Sequence, residues 1–197
     1  MTMKPGITQS VAIPRRGEIT EIVGRLSSGR TSLVLTWLAE VTGRGGAVAL
    51  VDTDDTFDPS SGARAGVELC RLLWVRCARH RRTALTATDL LVRCPGFALI
   101  VLDTGEIAPR LTLAATFRFR LAVQRADTAL VILARHRIAG AAATVAIETT
   151  RETVEWSGLG PRPARLAAMR SGLHVLRPSC AAHSRTPLVV PEMTWEA

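Results

Sequence analysis

The stretch Gly24-Arg-Leu-Ser-Ser-Gly29-Arg30-Thr31 has the residue types and spacing to hold an anion. It follows a short apolar run (Ile19, Ile22, Val23) and leads into an amphipathic segment, the layout of strand, tight loop and helix. Glycines at such a bend let backbone N–H groups turn inward around a phosphate, and the helix start points its positive end at the same charge. A loop of the form G-x-x-x-x-G-K-[ST] also needs a lysine that reaches the outer phosphates and a hydroxyl that holds Mg²⁺. Thr31 supplies the hydroxyl, but Arg30 stands at the lysine position. The candidate nucleotide-binding residues of the loop are therefore Gly24, Ser27, Ser28, Gly29, Arg30, Thr31 and Ser32. A guanidinium binds phosphate well, yet its planar fork is no neutral replacement for a compact ammonium.

Phosphate chemistry of this kind needs a second metal-holding acid, an acid that orients water and a group that senses the outer phosphate. Asp103 closes the apolar run 97–102 and, with Thr31, is the candidate Mg²⁺ pair. Asp52-Thr-Asp54-Asp55 closes the run 47–51. Both sets of carboxylates fall at the carboxyl ends of strands, the edge where open α/β sheets bind ligands.

The elements that must position these groups are legible from pattern. A first core strand is expected at 18–23, the loop at 24–31 and a helix at 31–42, stopped by Gly43-Arg-Gly-Gly46. Continuous apolar runs at 47–51, 97–102 and 129–133 suit parallel strands buried on both faces, and 72–75 is a further strand. Asp58-Pro59 opens a short helix ending near Gly66, and a second helix is expected over 83–93. Pro109 suits the first turn of a long helix reaching Asp127, with Leu113, Phe117 and Leu121 on its apolar side. Residues 144–150, 153–156 and 173–177 read as antiparallel strands. The expected fold class is thus α/β, a mainly parallel sheet flanked by helices with antiparallel strands on the C-terminal side. A lead-in at 1–16, a core domain at 17–177 and a loosely ordered tail at 178–197 complete the expected organisation.

Composition adds a partner class. The net charge of +8 suggests an anionic partner, and Arg79, Arg81, Arg82, Arg118, Arg120 and Arg125 are candidate DNA contacts. Lys4 is the only lysine and there is no tyrosine, a skew that lowers the meaning of any single arginine. The cysteines, Cys70, Cys77, Cys94 and Cys180, form no C-x-x-C pair and read as reduced, mostly buried thiols. No run approaches the ~20 apolar residues of a membrane helix, and no apolar leader is visible, so a cytoplasmic, nucleoid-associated protein is expected.

The loop with its preceding strand resembles the Walker A region of RecA-family recombinases. Val51-Asp-Thr-Asp54-Asp-Thr-Phe-Asp58-Pro59 is similar to the next RecA block, and Leu99-Ile-Val-Leu-Asp103 to its Walker B. The resemblance runs from about 17 to 156. It implies a RecA-like core using ATP and Mg²⁺, with Asp58 in the nucleotide-binding set. It also implies Asp54 at the position of the water-orienting Glu and Arg135 at that of the phosphate-sensing Gln, while Ser61 replaces an aromatic that stacks on adenine. Between Arg137 and Val145 too few residues remain for a long DNA-binding loop. An N-terminal filament-forming helix and a C-terminal domain are likewise not expected.

A compact core with those departures resembles the ImuA-type accessory proteins of bacterial mutagenic repair. That resemblance implies a role in the SOS response and translesion synthesis beside an ImuB-type polymerase-like protein, an error-prone replicative polymerase or RecA, with little ATP turnover. Single-stranded DNA is a further candidate partner. An active DNA-dependent ATPase of the recombinase or mediator group, and a protein-interaction module binding neither nucleotide nor DNA, remain as alternatives. Met193, Trp195, Val189 and Val190 are read either as a docking peptide or as residues folded back on the core.

Overall fold

The computed structural model describes residues 6–7, 12–157, 165–177 and 193–196. In chain order the elements are β1 (Gly6–Ile7), β2 (Ile19–Gly24), α1 (Arg30–Gly43), β3 (Ala47–Asp52), α2 (Pro59–Arg64), β4 (Leu72–Arg76), α3 (Arg81–Leu91), β5 (Phe97–Asp103), α4 (Leu113–Ala126), β6 (Ala129–Ala134), β7 (Val145–Ser157), β8 (Arg165–Arg177) and β9 (Met193–Glu196). The strands form one sheet in the order β1-β9-β8-β7-β2-β6-β5-β3-β4. From β4 to β7 every pairing is parallel, and β8, β9 and β1 add antiparallel ladders.

Strands β2 and β6 are buried along their whole length, because helices cover both faces. Alternate residues point to opposite sides of a strand. Ile22, Leu50, Leu99, Val101 and Leu133 meet Leu33, Trp37 and Leu38 of α1 on one face. Ile19, Ala49, Ile100, Leu130 and Ile132 meet Phe119, Ala122 and Val123 of α4 on the other. A smaller cluster, Val51, Cys77, Ala84 and Leu102, seats α3.

Several elements differ from the sequence expectation. Helix α4 begins at Leu113 and not at Pro109, because the Thr112 hydroxyl accepts from the Ala115 N–H at 3.2 Å and caps it. Its buried side is Thr116, Phe119, Ala122 and Val123. The expected apolar side, Leu113, Phe117 and Leu121, is 65%, 40% and 54% exposed. The two strands expected over 144–156 are one strand, β7 (Val145–Ser157), parallel to β2 and antiparallel to β8, with a register shift between Arg151 and Thr153. Strand β8 starts well before 173. Ala, Leu, Met and Arg are good helix formers, and the ladder to β7 overrides that preference. Of the cysteines, Cys77 is buried, whereas Cys70 and Cys94 are exposed. Residues 178–192, including Cys180, Val189 and Val190, lie outside the described residues. Met193 and Thr194 pair with β8 and β1.

The two sides of α4 should separate in denaturation. Phe119→Ala is expected to cost about 3–5 kcal/mol in urea unfolding, as buried Phe truncations do, and Leu113→Ala to stay within about 0.5 kcal/mol of the wild type. Equal losses would mean that the helix packs on its other face.

Candidate functional site

Register places the chemistry. Asp52 lies opposite Asp103, Asp103 opposite Leu133 and Val23 opposite Ala134, so β2, β3, β5 and β6 end at a common edge. The loop leaving β2 turns there. A Cβ on Gly24 would fall 2.3 Å from the Thr149 hydroxyl and 2.5 Å from that of Ser28, so only glycine fits. Ser27 (φ 56°) and Gly29 (φ 92°) take the left-handed conformation that closes the loop. The buried Ser28 hydroxyl lies 2.6 Å from that of Thr149 and ties the loop to β7. Helix α1 then begins with no side-chain cap and no acid in its first turn, leaving a positive end free to face an anion. Arg30 is only 6% exposed. Its Nη1 donates to the Gly24 carbonyl at 3.0 Å, so the guanidinium closes the loop on itself.

Three carboxylates stand at or just beyond the ends of β3 and β5, and the charge of Arg30 acts on one of them, Asp103. Asp52 is buried and accepts from the N–H groups of Thr56 (3.1 Å) and Phe57 (2.9 Å) and from Trp74 Nε1 (3.2 Å). Asp54 accepts from the Glu106 N–H at 2.9 Å, while its Oδ1 is buried without a hydrogen-bond partner. It presses on Gly105 (φ +69°), where an added Cβ would fall 2.0 Å from Asp54 Oδ2. Asp103 accepts from the Gly105 N–H at 2.9 Å. Burial pushes the Asp103 carboxyl above its ordinary range; the Gly105 N–H and Arg30 pull it down, and Asp52 and Asp54 add to the rise.

Thr31, Asp52 and Asp103 line one small cavity with Thr56, Phe57 and Leu35. Among the described residues no cluster of three or more His, Cys, Asp or Glu could cage a metal. A hydroxyl and a carboxylate on one cavity wall instead suit Mg²⁺, which takes one or two protein oxygens and completes its shell with phosphate and water. The unpartnered Asp54 oxygen nearby adds a further acceptor to that environment. The residues present thus fit a magnesium–phosphate group.

The other sequence candidates divide. Ser32 sits in the first turn of α1. Asp58 lies away from the cavity wall and caps α2, accepting from the Ser60 and Ser61 N–H groups and from the Ser61 hydroxyl at 2.6 Å. Arg135 is exposed, 3.9 Å from Glu106 Oε2. Arg79 donates its N–H to the Thr53 carbonyl at 2.7 Å, and Arg81 Nε donates to the Ile107 carbonyl at 2.6 Å, so both border the site. Arg82 is exposed at the start of α3. Arg118 and Arg125 line a separate groove on α4, and Arg120 is half-buried outside that lining. Sequence reasoning missed Glu21, fully buried in β2, whose carboxylate accepts from the Ile138 and Ala139 N–H groups and from Arg137 Nε. Its signal was an acid in the middle of an apolar strand.

Comparison with known proteins agrees with this geometry. The RecA N-terminal domain family matches residues 6–135. The chain belongs to that family. RecA of Chlorobaculum tepidum is 40% identical over 89 residues, 45% of this chain and 25% of that protein. RecA of Thermotoga petrophila is 40% identical over 96 residues, 48% of this chain and 27% of that protein. The matched stretch therefore spans about a quarter of these RecA proteins. The crystal structure of the RadB recombinase superposes with a TM-score of 0.58 at 18% identity, covering 84% of this chain and 85% of that one, a likeness of fold.

Because the folded Asp103 carboxyl titrates above its unfolded value, the native state favours its neutral form. Its contribution to stability is full below the unfolded aspartate range, near pH 4, and is lost as pH rises through the higher folded value. Asp103→Asn should therefore raise Tm at pH 7, with the gain shrinking toward pH 4. A thermal-melt series showing a loss at pH 7, or a gain independent of pH, would contradict the burial argument.

Proposed function

We propose that this RecA-family chain is an accessory protein of damage-induced mutagenesis, an ImuA-type adaptor that holds Mg–ATP weakly and turns it over little. The carrying observation is the buried Arg30 guanidinium donating to the Gly24 carbonyl of its own loop. In that position the cation closes the cradle, and binding phosphate requires it to exchange one acceptor for another.

The loop from Gly24 to Ser32 would receive the phosphates through backbone N–H groups and the α1 terminus. Thr31 and Asp103 would hold Mg²⁺, which when bound neutralises charge between the outer phosphates. Asp54 would be the water-orienting acid, yet its Oδ2 already accepts from Glu106 and its carboxylate abuts Gly105. Arg135 would be the sensor, and Glu106 is its neighbour. A cradle that fits with these groups engaged supports binding over hydrolysis. Arg79 and Arg81, which bond to the connections after β3 and β5, and the exposed Arg82 at the start of α3 are the candidate contacts to single-stranded DNA. The partners are an ImuB-type polymerase-like protein, an error-prone replicative polymerase or RecA, by resemblance alone.

One observation favours a working ATPase of the recombinase group instead: Thr31, Asp52 and Asp103 still share a cavity. Turnover separates the two readings. Phosphate release by the purified protein should stay within about twofold of background with or without single-stranded DNA. Arg30→Lys should tighten Mg–ATP binding in calorimetry by about tenfold, ~1.4 kcal/mol. Release well above background and abolished by Asp103→Ala would establish the ATPase. No co-purification with an ImuB-type protein, and unchanged damage-induced mutation frequency on gene deletion, would end the adaptor assignment.

A further inference from the structure

Helix α4 carries a second apolar row that the domain does not use. Leu113, Phe117 and Leu121 are spaced by four, so they stack along one side of the helix, and all three stay exposed while Phe119 and Val123 fill the core. Beside this row runs a groove of about 580 Å³ between α4 and the turn after α3. Leu121, Ala122 and Pro95 supply apolar lining and Arg93, Arg118 and Arg125 the charge. Arg93 is paired with Asp89 at 3.0 Å; Arg118 and Arg125 make no salt bridge among the described residues, although the charge of Arg118 also acts on Asp89.

We propose that this face docks an acidic amphipathic helix of a partner protein, its apolar residues on Leu113, Phe117 and Leu121 and its carboxylates on Arg118 and Arg125. The proposal goes beyond the nucleotide site and is independent of whether ATP binds. Charge complementarity selects the occupant. A second copy meeting the same face about a two-fold axis would set arginine against arginine. The chain's own segment 178–192 carries a single acid, Glu192, and a basic residue, Arg185, so it lacks the matching charge. Nucleic acid would use the guanidiniums but has no need of a leucine–phenylalanine–leucine row. Helix-in-groove recognition uses both features, with anchors at i, i+3 or i+4 and i+7.

The test uses the full chain and a fluorescein-labelled helical peptide of roughly 18 residues, about five turns, with leucines at those anchor positions and glutamates elsewhere. Fluorescence anisotropy should show it binding at least about tenfold more tightly than the same peptide with lysine for glutamate. The double variant R118E/R125E and the triple variant L113S/F117S/L121S should each weaken binding by about tenfold or more. All of these side chains are exposed or at the groove wall, and thermal melts will show whether each variant folds. The proposal is overturned if the glutamate peptide does not bind, or if the lysine or a scrambled peptide binds as well. It is also overturned if a single-stranded oligonucleotide binds this face with loss in R118E/R125E but not in the serine variant. A dimer in sedimentation that dissociates in L113S/F117S/L121S would assign the row to a second copy and overturn it too.

Discussion

A guanidinium removed from water is costly unless charge and hydrogen-bond partners replace the solvent, and Arg30 sets that requirement at the centre of this sheet edge. Its partners are the carbonyl of its own loop and, through the field, Asp103 among the acids at the ends of β3 and β5. Those acids face the reverse problem, since Asp52, Asp54 and Asp103 repel one another in the same confined space. Each is anchored by backbone N–H groups: Thr56 and Phe57 for Asp52, Glu106 for Asp54 and Gly105 for Asp103. Electrostatic balance and the path of the connecting loops are therefore one problem. The loops go where their N–H groups can serve the carboxylates, and Gly105 is where Asp54 leaves no space for a side chain.

This arrangement also explains why the core is mainly apolar while the edge is crowded with charge. Parallel strands covered on both faces can end only in loops at their two edges. Crossovers through α1, α3 and α4 return each strand in the same direction, so the parallel carboxyl ends arrive on the same side. The residue after each apolar run is then the first free of core packing. Asp103, at the end of β5, is the clearest case, and Gly24 is its counterpart on β2.

Where the sequence was legible, periodicity and a geometric need coincided. Uninterrupted apolar runs marked β3, β5 and β6, and two glycines with Thr31 marked the loop. Legibility failed where two patterns competed. Helix α4 has apolar residues on two sides, and the row with regular spacing of four is the exposed one; the buried row includes Thr116 and Ala122, which hydropathy ranks low. Pro109 looked like a first-turn proline, yet Thr112 offered the capping oxygen. Strand β8 was hidden because Arg165–Arg177 opens with helix formers and is a strand only through its ladder with β7. For the site, the loop and the two residues Thr31 and Asp103 that share its cavity were readable as residue types. The second acceptors of those groups were not, because they are loop N–H groups that any sequence supplies.

Glu21 shows how far the same logic extends. A fully buried carboxylate in the middle of β2 is hard to reconcile with an apolar core until its partners are counted: the Ile138 and Ala139 N–H groups, the latter at 2.7 Å, and Arg137 Nε at 3.3 Å. The turn after β6 would otherwise bury N–H groups with no acceptor, a cost of about 1–3 kcal/mol for each. Glu21 bonds that short turn to the sheet, and Arg135 just before it lies 3.9 Å from Glu106, the residue whose N–H serves Asp54. Three connections at the sheet edge, after β3, β5 and β6, are thus joined through carboxylates. A site knitted together in this way is built to hold its shape.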